Sequence, residues 1–535
     1  PFAMDPVVYD FAINDNGTFA ELDTDGRMPA GYRALTVPDL LRRNFNSLSP
    51  MTRRELERVG DQCRTGNEAA ALSMRLLARI VPGTVAEANE SESLESLLAA
   101  NGFDSTVHEQ IRQDLKSGRL GLSQNRLSAT VNVEDVRFDD VIDIRTGDHA
   151  SAIELGRRAI ANGEVGVITL AAGVGSRWTQ GAGVVKALNP FCRMGDRFRS
   201  FLDIHLAKTR KTSTEFGTSL PHIVTTGYLT DGAIRRDLQQ RFSGRNVHIS
   251  KGASIGLRMV PTARDLQFAW EEMPQQLLDE QQEKMRSSVR SALINWAKTS
   301  GEATDYTDNL PSQCMHPVGH WYEVPNLLIN GTLKSLLNQQ PQLQYLMLHN
   351  IDTLGAHLDA ACLGAHINSG ADLSYEVISR KLDDRGGGLA RVDGKVRLVE
   401  GLAMPREEDE FRLSYYNSLT TWISIDRMLT IFGLTREDLG DAKKLDEGVR
   451  RLGRRMPTYI TLKDVKKRWG KGQEDVFPVS QFEKLWGDMT ALSDVNCQFL
   501  VVPTLRGQQL KDPAQLDGWL RDGSAAYVES LVNWD

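Results

Sequence analysis

A glycine-rich segment of the chain has the residue types of a phosphate-binding loop. It reads Leu170-Ala-Ala-Gly-Val-Gly-Ser-Arg177 and continues the apolar run 165–170, which predicts a buried parallel strand. Its two glycines let the backbone turn sharply and approach a ligand, and amide N–H groups in such a turn bind anions. Arg177 and Lys186 add two positive charges. The segment therefore predicts a strand that leads into a triphosphate-binding loop, and an ordinary strand-to-helix turn is the alternative.

Two better-known phosphate loops do not fit this segment. The P-loop requires Gly-x-x-x-x-Gly-Lys-[Ser/Thr], and the dinucleotide fingerprint requires Gly-x-Gly-x-x-Gly. Here Gly173-Val-Gly175 is followed by Ser176, Arg177 and Trp178, so the third glycine of the fingerprint is missing. The segment instead resembles the signature Leu-x-x-Gly-x-Gly-[Ser/Thr]-Arg, with a Lys after a short gap, of nucleotidyltransferases that make nucleoside-diphosphate sugars.

Further segments narrow this resemblance to the UDP-sugar pyrophosphorylase family. They occur in the family's order over roughly residues 165–516. The segments that follow the glycine-rich loop are 222–231, Pro317-Val-Gly-His320, 346–356, 376–389, 398–400 with Pro405, 416–422, Gln481-Phe-Glu483 and 506–511. Because they are collinear, they favour one family more strongly than any single segment does.

The resemblance implies both a fold and a reaction. The fold is α/β, a nucleotide-diphospho-sugar transferase-like, Rossmann-like domain with a mainly parallel sheet. The reaction transfers a uridylyl group from UTP to a sugar 1-phosphate by direct in-line attack, releases pyrophosphate and uses Mg²⁺ as cofactor. Both substrates are anions, so positioning and charge stabilisation dominate such chemistry. The attacking phosphate oxygen is already ionised at pH 7, so no general base is required.

The same resemblance implies roles for individual residues. Lys186, Arg177 and Lys511 would stabilise charge at the phosphates. Sugar contacts would come from His320, Asn350, Gly387, Glu400 and Asn417. Nucleotide contacts would come from Leu170, Ala171, Ala172, Gly173, Val174, Gly175, Ser176, Thr225, Lys251 and Gly319.

Asp352 is the candidate metal ligand. It follows the apolar run 345–348, so it is expected at the carboxyl end of a strand, where ligands bind in open α/β sheets. One carboxylate together with substrate phosphates suits Mg²⁺, which keeps several of its waters. By position alone a helix N-cap is the better interpretation, and the resemblance of the surrounding segment 350–356 favours the metal.

Several residues depart from the family pattern. Trp321 and Tyr322 follow His320 where Gly and Asp are usual, and Leu419 replaces an Asn. We expect Trp321 and Leu419 to narrow a sugar pocket, which leaves the sugar open. Lys251 stands in place of a Gln near the base, which leaves strict uridine selection open.

Two alternative functions follow from the sequence. The departures from the pattern motivate a non-catalytic nucleotide-sugar binding or sensor protein on the same fold. Gly252-Ala-Ser254-Ile-Gly256 matches the nucleophile elbow of serine hydrolases, but an elbow must open into a helix and Pro261 comes early for one. Retention of the phosphate and metal residues argues against both alternatives.

Composition and patterning indicate a large globular enzyme in three parts. The 535 residues are 25% charged and 41% apolar with a net charge of −7, so no basic surface for nucleic acid is expected. Helical patterns at 37–43, 69–79 and 91–100 predict a mainly helical region over 1–150. The catalytic domain is expected over 151–440, with a helical insertion at about 264–310, and a small C-terminal domain over 441–535.

The cysteines and the termini suggest where the protein resides. Five scattered cysteines show no metal-binding spacing, so a reduced cytoplasmic setting is expected. No run is long and apolar enough for a membrane span, and no signal peptide is visible. Met4 is expected to be the natural first residue.

Overall fold

The computed structural model describes residues 93–175, 178, 185–195, 197–242, 245–271, 280–382, 384, 386–470 and 473–534. Two candidate site residues, Ser176 and Arg177, and the helices predicted at 37–43 and 69–79 lie outside these residues. The helix predicted at 91–100 is confirmed as Leu94–Ala100. It begins after Ser93, whose side chain accepts a hydrogen bond from the Ser96 N–H, and ends before Asn101.

Helices and strands alternate along most of the described chain. The helices are α1 (Leu94–Ala100), α2 (Ser105–Ser117), α3 (Ala150–Ala161), α4 (Phe201–Phe216), α5 (Asp231–Arg241), α6 (Ala263–Glu271), α7 (Glu280–Ser300), α8 (Pro311–Cys314), α9 (Glu323–Ile329), α10 (Thr332–Gln339), α11 (Ala360–Ser369), α12 (Ile425–Ile431), α13 (Ala442–Gly453), α14 (Thr504–Gly507), α15 (Leu516–Arg521) and α16 (Ser524–Ser530). The strands are β1 (Val133–Glu134), β2 (Ile142–Asp143), β3 (Val165–Leu170), β4 (Pro190–Met194), β5 (Arg197–Ser200), β6 (His222–Thr226), β7 (Val247–Lys251), β8 (Gly256–Leu257), β9 (Met315–His316), β10 (Tyr345–Asn350), β11 (Leu373–Ser379), β12 (Gly388–Val392), β13 (Lys395–Val399), β14 (Tyr415–Ser424), β15 (Tyr459–Gly470), β16 (Gln473–Glu483) and β17 (Cys497–Val501).

The chain divides into two compact units, one of residues 1–85 and 190–198 and the other of residues 86–189 and 199–535. The structure describes only a small part of the first unit, in which β4 pairs with β5. The second unit contains the central sheet. No helix in the described ranges is both long and apolar enough to cross a membrane.

The central sheet confirms the α/β expectation. Its main path has the order β2-β17-β11-β14-β10-β3-β6-β7. All neighbours on this path are parallel except β14, which runs antiparallel to both β10 and β11. Strand β3 is buried at every residue, as its continuous apolar run predicts. The parallel strands β3, β6 and β10 therefore end at one edge of the sheet.

A second set of strands branches from β14. Strand β12 pairs antiparallel with β14, β13 and β1. Between β11 and β14 the register shifts by two residues, so that residues 418–420 of β14 have no partner on β11. Leu419 lies in this bulge with a positive φ of 62°, and the bulge turns it out of the regular strand.

The predicted division into three parts stays a prediction, and the sheet draws strands from all of them. Strand β2 comes from the first part and β17 from the last, and the two pair with each other in parallel. The predicted insertion contains the helices α6 and α7, and its last residues, 301–310, are not helical. The largest fully buried side chains include Trp321, Trp422 and Trp486.

Candidate functional site

The strand register brings the candidate phosphate, metal and sugar residues to one edge of the sheet. Leu170, the last residue of β3, is paired with Asn350 at the end of β10 and with Thr225 on β6. The glycine-rich loop follows Leu170, and Asp352 follows Asn350 by two residues. Because the carboxyl ends of parallel strands form the ligand-binding edge of such sheets, these loops face the same space.

Lys186 and Asp352 form an ion pair at this edge. The Nζ atom of Lys186 lies 2.5 Å from Oδ1 of Asp352 and donates to the carbonyl oxygen of Leu510 at 2.9 Å. Lys186 is only 4% exposed, and its ammonium lies 4.8 Å from the ring centre of Phe201. A lysine this shielded from water acts on nearby anions far more strongly than a solvated one.

Gly175 is what allows Lys186 to occupy this position. The backbone at Gly175 has a φ of 68°, and a Cβ atom there would lie 2.3 Å from the Cβ of Lys186. The Lys186 N–H also donates to the carbonyl oxygen of Val174 at 2.9 Å. The glycine-rich loop and the lysine, eleven positions apart in sequence, are thus one structural unit.

The C-terminal segment 510–511 closes over the same pair. The Leu510 N–H donates to the carbonyl oxygen of Asp352 at 2.9 Å, and Trp178 Nε1 donates to the carbonyl oxygen of Lys511 at 3.0 Å. The Lys511 ammonium donates to the hydroxyl of Tyr416 at 2.6 Å. The structure therefore brings Lys186, Asp352 and Lys511 to one place.

The residues around Asp352 fit a metal ion held mainly by substrate. The described part of the chain contains no group of three or more His, Cys, Asp or Glu side chains that could hold an ion. Asp352 is a single carboxylate, and Lys186 already neutralises part of its charge. Such a site suits Mg²⁺ that takes its other ligands from phosphate oxygens and water, and does not suit a permanent protein-held ion.

A cavity of about 250 Å³ opens beside this centre. Seven of the predicted site residues line it: Leu170, Ala172, Gly173, Val174, Gly319, His320 and Asn350. Leu419, brought in by the bulge of β14, lines it as well. The cavity therefore extends from the glycine-rich loop toward both neighbouring sides of the sheet, the β6 side and the β14 side.

On the β14 side, but not among the described residues that line the cavity, a carboxyl group is held between two glycines. Cβ atoms at Gly387 and Gly487 would lie 3.0 Å and 3.1 Å from the two carboxyl oxygens of Glu400. Burial raises the pKa of Glu400 to about 8, the negative charges of Asp488 and Glu483 add to this, and Lys511 opposes it. Glu400 is thus protonated at neutral pH and can both donate and accept a hydrogen bond.

His320 and Asn417 lie near the same carboxyl group. The Trp486 N–H donates to His320 Nδ1 at 3.0 Å, and burial, with a contribution from Lys511, lowers the pKa of His320 to about 4. The ring is therefore neutral, with its proton on Nε2. The Asn417 N–H donates to the carbonyl oxygen of Gly387 at 3.2 Å. This side of the site is rich in hydrogen-bonding groups that carry no charge at neutral pH.

On the β6 side, the structure shows a carboxyl group that the sequence interpretation missed. Glu323, the first residue of α9, lines the cavity. Burial raises its pKa to about 7, and a hydrogen bond with Thr225 lowers it in part. Thr225 is fully buried and accepts from the Ala171 N–H at 3.3 Å. The only signal for Glu323 in the sequence is its position three residues after His320.

Part of this chain is similar in sequence to known uridylyltransferases. The family model described as UTP–glucose-1-phosphate uridylyltransferase matches residues 297–444. The UTP–glucose-1-phosphate uridylyltransferase of Saccharomyces cerevisiae is 32% identical over 121 residues, which are 22% of this chain and 24% of that protein. The enzyme of the same name from Hordeum vulgare is 31% identical over 140 residues, 24% of this chain and 29% of that protein.

Residues 297–444 of this chain are distantly similar to the UDP-sugar pyrophosphorylase family. The aligned segments span only about a quarter of the length of these curated relatives. UDP-N-acetylglucosamine pyrophosphorylase from Trypanosoma brucei shares the fold over 90% of this chain and 84% of its own, with 16% identity and a TM-score of 0.52. A variant of UDP-glucose pyrophosphorylase from Leishmania major does so over 80% and 77%, with 16% identity and a TM-score of 0.51.

The segment matched by the family model covers only part of the candidate site. It includes His320, Asn350, Asp352, Glu400 and Asn417. It leaves out the glycine-rich loop, Lys186 and Lys511, which the structure nevertheless places at the same centre. The structure therefore brings the matched segment together with the glycine-rich loop, Lys186 and Lys511, which lie outside the match.

Two residues that depart from the family pattern do not reach the cavity. Trp321 is fully buried in the core, where its Nε1 faces the sulfur of Met489 at 3.3 Å. The expectation that it narrows a sugar pocket is wrong. Lys251 has an exposed side chain at the end of β7 and is not among the described residues that line the cavity.

The segment 252–256 does not form a nucleophile elbow. Ser254 follows β7, but the chain continues into the short strand β8 at Gly256. An elbow requires a strand, a sharp turn and then a helix. The Ser254 hydroxyl lies 3.5 Å from Oδ1 of Asn326. The hydrolase alternative therefore lacks its structural context.

Proposed function

We propose that the protein transfers a uridylyl group from UTP to a sugar 1-phosphate and releases pyrophosphate. The observation that carries this proposal is the shielded Lys186–Asp352 pair, held by the glycine-rich loop on one side and by the segment 510–511 on the other. Three strands deliver these groups to one edge, beside a cavity lined by the loop itself. This combination suits a reaction between two phosphate-bearing anions.

The chain's own residues perform the electrostatic part of the reaction. Lys186 and Lys511 reduce the repulsion between the triphosphate and the incoming sugar phosphate, which is the main barrier to their approach. The backbone amides of the glycine-rich loop orient the triphosphate. Mg²⁺ held by Asp352 and by phosphate oxygens would supply further neutralisation of charge on the reacting phosphates. No residue has to act as a base, because the attacking oxygen is ionised.

The two sides of the cavity suit the two uncharged parts of the product. The sugar is assigned to the β14 side, where neutral His320 and protonated Glu400 offer donors and acceptors to hydroxyl groups. The nucleoside is assigned to the β6 side, next to the loop that binds its triphosphate. The phosphates then lie between, at Lys186 and Asp352.

One assay tests the reaction and the sensor alternative together. Pyrophosphate release is measured with Mg²⁺ for four nucleoside triphosphates against a panel of sugar 1-phosphates, with Lys186→Met as the inactive control. Release with UTP and one sugar phosphate, lost in the control, is the expected result. If no combination releases pyrophosphate while calorimetry shows binding of UTP or a UDP-sugar, the enzyme proposal is overturned in favour of a nucleotide-sugar sensor.

A further inference from the structure

Glu323 lines the cavity and has one carboxyl oxygen whose hydrogen-bonding capacity is unused. Its Oε2 atom is shielded from solvent and has no hydrogen-bond partner among the described residues. Buried acceptors are almost always paired in native proteins, because an unpaired one loses its water without replacement. A ligand that fills the cavity is the natural source of the missing donor.

The charge of the site restricts which part of a ligand can meet this oxygen. None of the described residues contributes a cation to the surroundings that set the pKa of Glu323. A phosphate there would meet a carboxyl group that no cation compensates, so the phosphates of a ligand are not expected at Oε2. The group that faces Oε2 must carry an N–H or O–H donor, and in a nucleotide such donors are on the sugar and the base.

The surroundings of Glu323 suit a flat ring better than a flexible sugar. Tyr228, Leu229 and Ile255 line the same cavity and give it apolar walls. Gly252 also lines it, with no side chain to occupy the space. Apolar walls with one polar group that fixes orientation are the usual features of a site for a planar heterocycle.

We infer that Glu323 selects the nucleobase, with its Oε2 atom accepting a hydrogen bond from the imide N3–H of uracil. This inference rests on the proposed function, because that function supplies the uridine nucleotide. Thr225 bonds to the Glu323 carboxyl group, which fixes its orientation and leaves Oε2 for the base. The family resemblance assigns no role to this position, and Lys251, where the resemblance expects base contact, is exposed outside the cavity lining.

The probe for this contact is a uridine nucleotide in which a methyl group replaces the hydrogen on N3, so that N3 can no longer donate. Calorimetry compares uridine 5′-monophosphate with its 3-methyl analogue on the full chain. The wild-type protein is expected to bind the unmodified nucleotide about 10- to 100-fold more tightly, the usual range for losing a bond to a buried carboxyl group. This comparison needs no turnover, so an inactive preparation can be tested as well.

Two substitutions of Glu323 separate hydrogen bonding from shape. Glu323→Met keeps the length of the side chain but removes the acceptor, so the preference for the unmodified nucleotide should fall to about twofold or less. Glu323→Gln removes the charge but keeps an acceptor, so most of the preference should remain. A purely structural role of Glu323 would affect both variants alike. Glu154→Met, a matched change at an exposed glutamate of α3, should leave the preference unchanged.

The possible outcomes distinguish this inference from the function it rests on. Equal binding of both nucleotides by the wild-type protein overturns the inference alone. A preference that persists in a folded Glu323→Met variant also overturns it. If no uridine nucleotide binds the wild-type protein, the proposed function fails, and the inference fails with it.

Discussion

Two buried carboxyl groups lie on different sides of the Lys186–Asp352 pair, Glu400 on the β14 side and Glu323 on the β6 side. Burial raises the pKa of both, to about 8 and about 7. Glu400 has charged neighbours of both signs, whereas Glu323 has only a hydroxyl partner. The two sides therefore differ in which neighbouring groups set the pKa of the carboxyl group. The β14 side is tuned by surrounding charges, and the β6 side depends on a single hydrogen bond.

The largest expected effect removes the centre that both sides share. Asp352→Asn keeps the shape but removes the charge, so kcat should fall by about 1,000-fold or more while both substrates still bind. Steady-state kinetics at saturating Mg²⁺ measure this. Asp426→Asn, at an exposed aspartate paired with Arg436, is the matched control and should keep the wild-type kcat. Near-normal kcat in Asp352→Asn would remove the metal assignment.

A smaller effect should separate the two sides from each other. Glu400→Met removes a donor and acceptor from the β14 side, so the KM for the sugar 1-phosphate should rise by about tenfold. The KM for UTP should change by less than about twofold, because Glu400, unlike Glu323, is not among the described residues that line the cavity. Initial rates with the other substrate held at saturation provide both values. A rise in the KM for UTP instead would place the nucleoside, not the sugar, on the β14 side.

The pH dependence of stability should distinguish the two carboxyl groups more finely. Glu400 keeps its proton in the folded state up to a pKa of about 8, whereas its ordinary pKa is 4.5. Unfolding therefore releases a proton between pH 4.5 and 8, so the free energy of unfolding decreases as pH rises through this window. In Glu400→Gln this pH-dependent decrease in stability is absent. The Tm of the variant minus the Tm of the wild type should therefore increase with pH up to about pH 8.

For Glu323→Gln, the corresponding increase in the Tm difference should end at a lower pH. The raised pKa of Glu323 is about 7, so its window closes about one unit below that of Glu400. Asp488, Glu483 and Lys511 all act on the pKa of Glu400, whereas no charged group does so for Glu323 among the described residues. Thermal unfolding from pH 5 to pH 9 records both curves. Differences in Tm that do not change with pH would contradict the raised pKa values.

The sequence predicted the elements of this site where the pattern is local. The continuous apolar run 165–170 is the buried strand β3, and the motif positions Lys186, Asp352 and Lys511 converge on one centre. Short motifs succeed here because strand ends and loops carry these residues directly to the edge of the sheet. The antiparallel placement of β14 depends on long-range pairing that the apolar pattern of a single strand does not encode.

The errors arose where a side chain's direction depends on packing. His320 and Trp321 are neighbours in a short 3₁₀ turn, His320–Tyr322, whose consecutive side chains point in different directions. His320 therefore lines the cavity while Trp321 fills the core. Glu323 was missed for the same reason, because its meeting with Thr225 joins positions 98 residues apart. Predicting that contact would require the register of β6 and the placement of α9.

The smallest effect is expected at Lys251, the other residue that could contact the base. Lys251 has an exposed side chain, and its carbonyl oxygen accepts from Asn330 at 2.9 Å. Lys251→Gln, which restores the family's residue type, should therefore change the preference among nucleoside triphosphates by less than about twofold, as substitutions at solvated positions usually do. Competition between UTP and CTP in the pyrophosphate assay measures it, with Glu323→Met in parallel. A larger change in Lys251→Gln than in Glu323→Met would mean that Lys251 reaches the base when substrate is bound. Base selection would then belong to β7, and Glu323 would be left with the packing of α9 against β6.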